Sequence, residues 1–182
     1  MTRAAALLLV AGTTLVAGCS STVRTGQASS YLVLQRLEAA AGGESSGTFT
    51  GVLRSDVRTK GSVFEDNGRV TLSIAMKDVT NPTGPTANNA ITLNRYRIDY
   101  RRTDGRNTPG EDVPYAVEGA VSATITEQPT AVVFTIVRAQ AKLEKPLVTL
   151  SGGNGALIIS TIADATFFGR RENGAGSGAE VA

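Results

Sequence analysis

Between residues 31 and 170 apolar and polar residues alternate along most of the chain, the pattern of strands with one buried face. Val70, Leu72, Ile74 and Met76 fall on one side of such an alternation, and Thr71, Ser73, Ala75 and Lys77 on the other. Asn81-Pro82-Thr83-Gly84-Pro85 interrupts it, because two prolines and a glycine cannot continue a hydrogen-bonded ladder. Ile91 and Leu93 then resume on odd positions, whereas Tyr96, Ile98 and Tyr100 occupy even ones. That slip of one residue near Asn94-Arg95 predicts a β-bulge. Residues 115–126 and 131–138 read as two further strands, joined as a hairpin by Glu127-Gln128-Pro129-Thr130. In the second of these Val132, Phe134 and Ile136 on one parity are matched by Val133 and Val137 on the other, the composition of a central strand. Residues 147–150 and 156–170 complete the series, with weaker candidates at 31–37 and 51–57. Only residues 139–144 have helical character, enough for a single turn.

Short strands separated by turn signals, without alternating helices, predict an all-β fold. The expectation is an antiparallel immunoglobulin-like β-sandwich of about seven or eight strands, with a closed barrel as its main competitor. There is no tryptophan, and a single cysteine cannot form a disulfide within the chain. The antibody type of sandwich is therefore excluded, and the core must hold by packing alone.

That cysteine, Cys19, stands at the end of a distinctive leader. Arg3 gives a basic start, and residues 4–16 form an apolar run too short to cross a hydrocarbon core, which needs roughly 20 residues. The arrangement is that of a secretory signal peptide. Its tail, Val16-Ala17-Gly18-Cys19, resembles the lipobox of bacterial lipoproteins. The resemblance implies cleavage before Cys19, acylation of its thiol, and further acylation of the new amino terminus. One acyl chain binds a membrane only marginally, so two or three make the anchor durable. In a two-membrane bacterium, Ser20 after the cysteine implies export to the outer membrane. The domain plan is then a signal peptide at 1–18, a flexible tether at 19–30 rich in small polar residues, a folded unit at 31–171, and a Gly/Ala-rich tail at 172–182.

The stretch Ile91 to Tyr115 (ITLNRYRIDYRRTDGRNTPGEDVPY) and the later Thr161 to Arg171 (TIADATFFGRR) resemble a group of bacterial lipoproteins with no established activity. In that group the late strand runs through an Asp-x-x-Gly-Asn turn into one more strand. Here Arg171-Glu172-Asn173-Gly174 keeps the turn character, but GAGSGAEVA follows. The resemblance thus implies a closing strand that is missing or vestigial, and an unpaired sheet edge.

Chemistry is bounded first by what is missing. With no histidine there is no Ser-His-Asp or Cys-His arrangement and no His-ligated metal. No glycine-rich phosphate loop is present. After Arg3 is removed, 17 basic side chains face 16 acidic ones, so nothing in the charge points to nucleic acid. Glu65-Asp66 and Glu111-Asp112 are the adjacent carboxylates a glycosidase could use, but both lie in turn-like sequence, where solvated turn residues are the plainer reading.

Two constellations remain. In NRYRIDYRRTDGR, Arg95, Arg97 and Arg101 share one face of a strand with Asp99, and Arg102 and Arg106 follow. Guanidinium forks match phosphate or carboxylate, so an anionic glycan, a lipid headgroup or an acidic protein could bind there. A solvent-facing strand paired with Asp99, Glu118 or Glu127 is the alternative. In the loop that follows, Asp104, Asn107, Glu111 and Asp112 offer oxygen ligands suited to calcium, although Asp-Gly and Pro-Gly explain themselves as turns. The functional expectation is a non-catalytic, lipid-anchored envelope protein that binds another envelope or extracellular protein or serves in an assembly. The alternative is an anion-binding lipoprotein using the arginine strand.

Overall fold

The computed structural model describes residues 29–43, 47–78, 80, 84–153 and 157–172. Its strands are β1 (Ser30–Ala40), β2 (Asp66–Met76), β3 (Ile91–Arg102), β4 (Val117–Ile125), β5 (Thr130–Val137) and β6 (Thr161–Arg171), with one short helix, α1 (Ala139–Leu143), before β6. They form two antiparallel three-stranded sheets, β1-β2-β5 and β4-β3-β6. The fold is an all-β sandwich rather than a closed barrel. This strand order is the A-B-E and C′-C-F order of an immunoglobulin-type sandwich. The place beside F, held there by strand G, has no strand among the described residues.

The alternation of β2 puts Val70, Leu72 and Ile74 into the core. The predicted bulge is present in β3, whose register shifts between Leu93 and Arg95 against both β4 and β6. It keeps Ile91 and Leu93 before the shift, and Tyr96, Ile98 and Tyr100 after it, all inside. Tyr96, Phe134 and Phe167, from three different strands, pack with ring centroids 5.1–6.3 Å apart. They fill the centre that antibody domains fill with a tryptophan and a disulfide. Two tyrosines of β3 tie the sheets together across this core. The Tyr100 hydroxyl donates to the Ile136 carbonyl at 2.6 Å, and the Tyr96 hydroxyl accepts from the Thr135 N–H at 3.2 Å. Gly68 leaves room for the Phe134 ring, where an added Cβ would stand 2.4 Å from a ring carbon.

Five sequence expectations are corrected. The described strands number six. Residues 126–129 do not close a hairpin but carry the chain from one sheet to the other, and the Ile74 N–H donates to the Thr126 carbonyl at 2.9 Å. A short loop between two alternating strands suits a sandwich corner as well as a hairpin, and parity alone does not distinguish them. Among the described residues β5 is an edge strand, not a central one: it pairs there only with β2, and Val133 on its outer face is 57% exposed. Residues 147–150 belong to a 3-10 helix (Leu147–Gly153), not a strand. There the Thr149 and Ser151 hydroxyls donate to the carbonyls three residues earlier, of Pro146 and Val148, an alternative to a ladder that Thr and Ser readily offer. Residues 51–57 form no strand either; Thr50 makes only an isolated bridge to Ala39. The single helical turn expected at 139–144 is α1.

Candidate functional site

The β3 arginines lie on the outer face of their sheet, opposite the core tyrosines, as the period-two pattern requires. Their forks are taken up by neighbouring carboxylates. Arg95 and Arg97 both reach Glu118 on β4, at 3.2 and 3.3 Å, and Arg97 also holds Asp99 at 2.8 Å. Arg101 binds Asp164 on β6 at 2.7 Å through two nitrogens. Arg95 lies 4.1 Å over the Phe168 ring. The hydrogen bond from Arg97 holds the Asp99 carboxyl below its ordinary pKa, and Asp164 raises that of Arg101. The strip is a solvated ladder of alternating charge.

Arg102 and Arg106 both close on Asp104, whose carboxyl is pulled down to about 2, first by Arg106 and then by Arg102. Three of the four oxygen-bearing residues considered for calcium, Asp104, Asn107 and Asp112, have local partners. Asn107 accepts from the Arg102 N–H and donates to the Gly105 carbonyl, while Asp112 accepts from the Thr108 N–H. Among the described residues no three His, Cys, Asp or Glu side chains gather as metal ligands.

The Glu65-Asp66 pair is divided by the fold. Glu65 stays exposed, whereas Asp66, only 1% exposed, opens β2. Its Oδ1 accepts from the Gly42 N–H, the Ser55 hydroxyl and the Lys142 ammonium, the last at 2.7 Å. Lys142 in α1 is buried as well and also donates to Ser55 and to the Asp56 carbonyl. This buried ion pair fastens α1 and the loop after β1 to the start of β2, and it is a structural clasp rather than a pair of catalytic acids. Nothing in the sequence marked Lys142, whose partner is 76 residues away.

The sandwich is open along one flank. β6 pairs with β3 on one side, and among the described residues no strand pairs with its other side. Across the gap lies β1, also an edge strand. Leu34 and Leu37 of β1 are the register partners of Leu72 and Val70, so all four face inward. Leu72 and Val70 are fully buried, yet Leu34 and Leu37 remain 45% and 40% exposed. Small residues, Ala163 and Ala165, face the same gap from β6. At one end the Arg171 guanidinium crosses it, donating through Nη2 to the Ser30 carbonyl at 3.2 Å. The resemblance to the lipoprotein group implied an unpaired edge, but the uncovered leucines appear only once the strand order is known.

The open flank is thus a slot between the β1 and β6 edges of two antiparallel sheets, with two half-exposed leucines inside it. No protein-family model, curated protein or solved structure matches the chain. Cys19 and the lipobox, most of the tether, and residues 173–182 lie outside the described residues. Among those described, no helix is long and apolar enough to cross a membrane.

Proposed function

We propose that this chain is a lipid-anchored, non-catalytic envelope protein whose sandwich holds another protein by strand addition beside β6. The reading rests chiefly on one observation: inward-facing Leu34 and Leu37 are left half exposed next to a strand edge that is unpaired among the described residues. An added strand would satisfy the edge hydrogen bonds of β6 and cover both leucines at once. The lipobox resemblance at Cys19 supports the anchor, and an anchored protein meets its partners at a membrane surface outside the cytoplasm. The arginine ladder does not favour the anion-binding alternative, because its forks already hold carboxylates.

The test is capture from native envelopes with the full, lipidated chain, comparing wild type with Leu34→Asp. A partner retained by wild type at high salt and lost by the variant supports the reading. A partner retained equally by both, or released by salt alone, contradicts it. For the anchor, Cys19→Ser is expected to abolish palmitate labelling and release the protein from the membrane fraction.

A further inference from the structure

The end of the slot carries a charge that no carboxylate among the described residues neutralises. Arg171 is the last residue of β6 and, by register with buried Ile91, faces inward. It is 7% exposed, and its Nε has no hydrogen-bond partner. No carboxylate lies within ion-pair distance among the described residues, and the one bond its guanidinium makes is to the Ser30 backbone carbonyl. Burial pushes its pKa below the ordinary arginine value, with no acid to oppose the shift. A guanidinium has five N–H donors and no acceptor capacity, so one carbonyl leaves most of it unused. Burying a charge is costly unless the charge is paired. The contrast between neighbouring strands is plain: Arg101 of β3 holds a carboxylate in the open, while Arg171 of β6 holds none among the described residues in the interior.

Arg171 and Ser30 meet at one end of both edge strands, so β1 and β6 run antiparallel across the gap. Leu34 and Leu37 follow along β1, and Ala165 and Ala163 lie inward along β6. The slot therefore offers a strand edge, an apolar floor with room above two alanines, and a cation at one end.

We propose that the occupant of the slot is an extended peptide with large apolar side chains at every second position and a carboxylate that meets the Arg171 guanidinium. This rests on the strand-addition reading and adds to it the chemistry of the partner. The apolar period follows from the inward faces of β1 and β6, since alternate side chains of a strand laid beside β6 point onto Leu34 and Leu37. The acid follows from Arg171, whose planar fork suits a carboxylate held by two nitrogens.

The test uses the full chain in detergent and fluorescently labelled synthetic peptides of seven alternating isoleucine and threonine residues. Each carries Asp or Asn at one end, in both end placements, with a lysine pair outside the strand for solubility. In the placement that brings the acid to Arg171, the Asp peptide is expected to bind at least tenfold more tightly than its Asn counterpart. Arg171→Gln is expected to remove that difference, and Leu34→Asp to weaken both peptides. Should Arg171→Gln fail to fold, the Asp/Asn contrast on the wild-type chain decides alone. Equal binding of Asp and Asn peptides, still sensitive to Leu34→Asp, overturns the acid and leaves strand addition standing. Binding of none of the peptides overturns both. A dimer in sedimentation that dissociates with Leu34→Asp gives the slot to a second copy of this chain and also overturns the proposal.

Discussion

The two flanks of the sandwich are built from similar strands and end differently. On one, the chain passes from β4 to β5 through residues 126–129, and Ile125 and Val132 beside that corner are buried. On the other, β1 and β6 face each other across a gap, and inward-pointing leucines remain half exposed. Register alone decides which way a side chain points; whether it is buried depends on a neighbour in the opposite sheet. The difference teaches that the open flank is not a weakly patterned region but a correctly patterned one whose cover is absent from the described residues.

Substitutions can sharpen this contrast, and the largest effect is expected where burial is complete. Lys142→Met removes the partner of a buried carboxylate that already has one unbonded oxygen, and is expected to cost about 3–5 kcal/mol in urea unfolding. Replacing Asp66 as well, by leucine, should recover much of that loss, since the uncompensated charge is then gone. On the closed flank Ile125→Ala is expected to cost about 2–5 kcal/mol, from lost apolar burial and the cavity left behind. On the open flank Leu34→Ala should cost only about 0.5–1 kcal/mol by the same measurement. Equal costs at Ile125 and Leu34 would abolish the distinction between the flanks. Smaller still, Arg95→Ala or Arg101→Ala should change stability by no more than about 1 kcal/mol, because exposed pairs contribute little.

The smallest effect concerns pH. The Asp104 carboxyl is depressed from 3.8 to about 2 in the folded chain, so its contribution is present above the ordinary carboxylate range. That contribution is lost as pH falls from near 4 towards 2. An NMR titration should place its midpoint well below that of an ordinary aspartate, and Arg106→Gln should raise it.

Much of the fold was legible because period-two alternation is a direct consequence of a pleated strand with one wet face. The bulge at Leu93/Arg95 was visible as a change of parity, and the outer placement of Arg95, Arg97 and Arg101 followed from it. Connectivity was not legible. Thr126–Pro129 looks the same whether the next strand joins the same sheet or the opposite one, and apolar Val133 and Val137 imitate a central strand on what is an edge. The Asp66–Lys142 clasp joins residues far apart in sequence, and local pattern carries no trace of it. The burial of Arg171 was hidden for a related reason: a terminal arginine on a strand reads as a charged edge until the register places it between the sheets.

Site-specific photo-cross-linking in the native envelope tests the open flank most directly. A photoreactive amino acid placed at Leu34 or Leu37 of the lipidated chain should form a covalent adduct with a second protein. The same residue at Val133, more exposed but on the outer face of β5, should form none. Adducts at Val133 as abundant as those at Leu34, or no adduct at either leucine, would contradict the account.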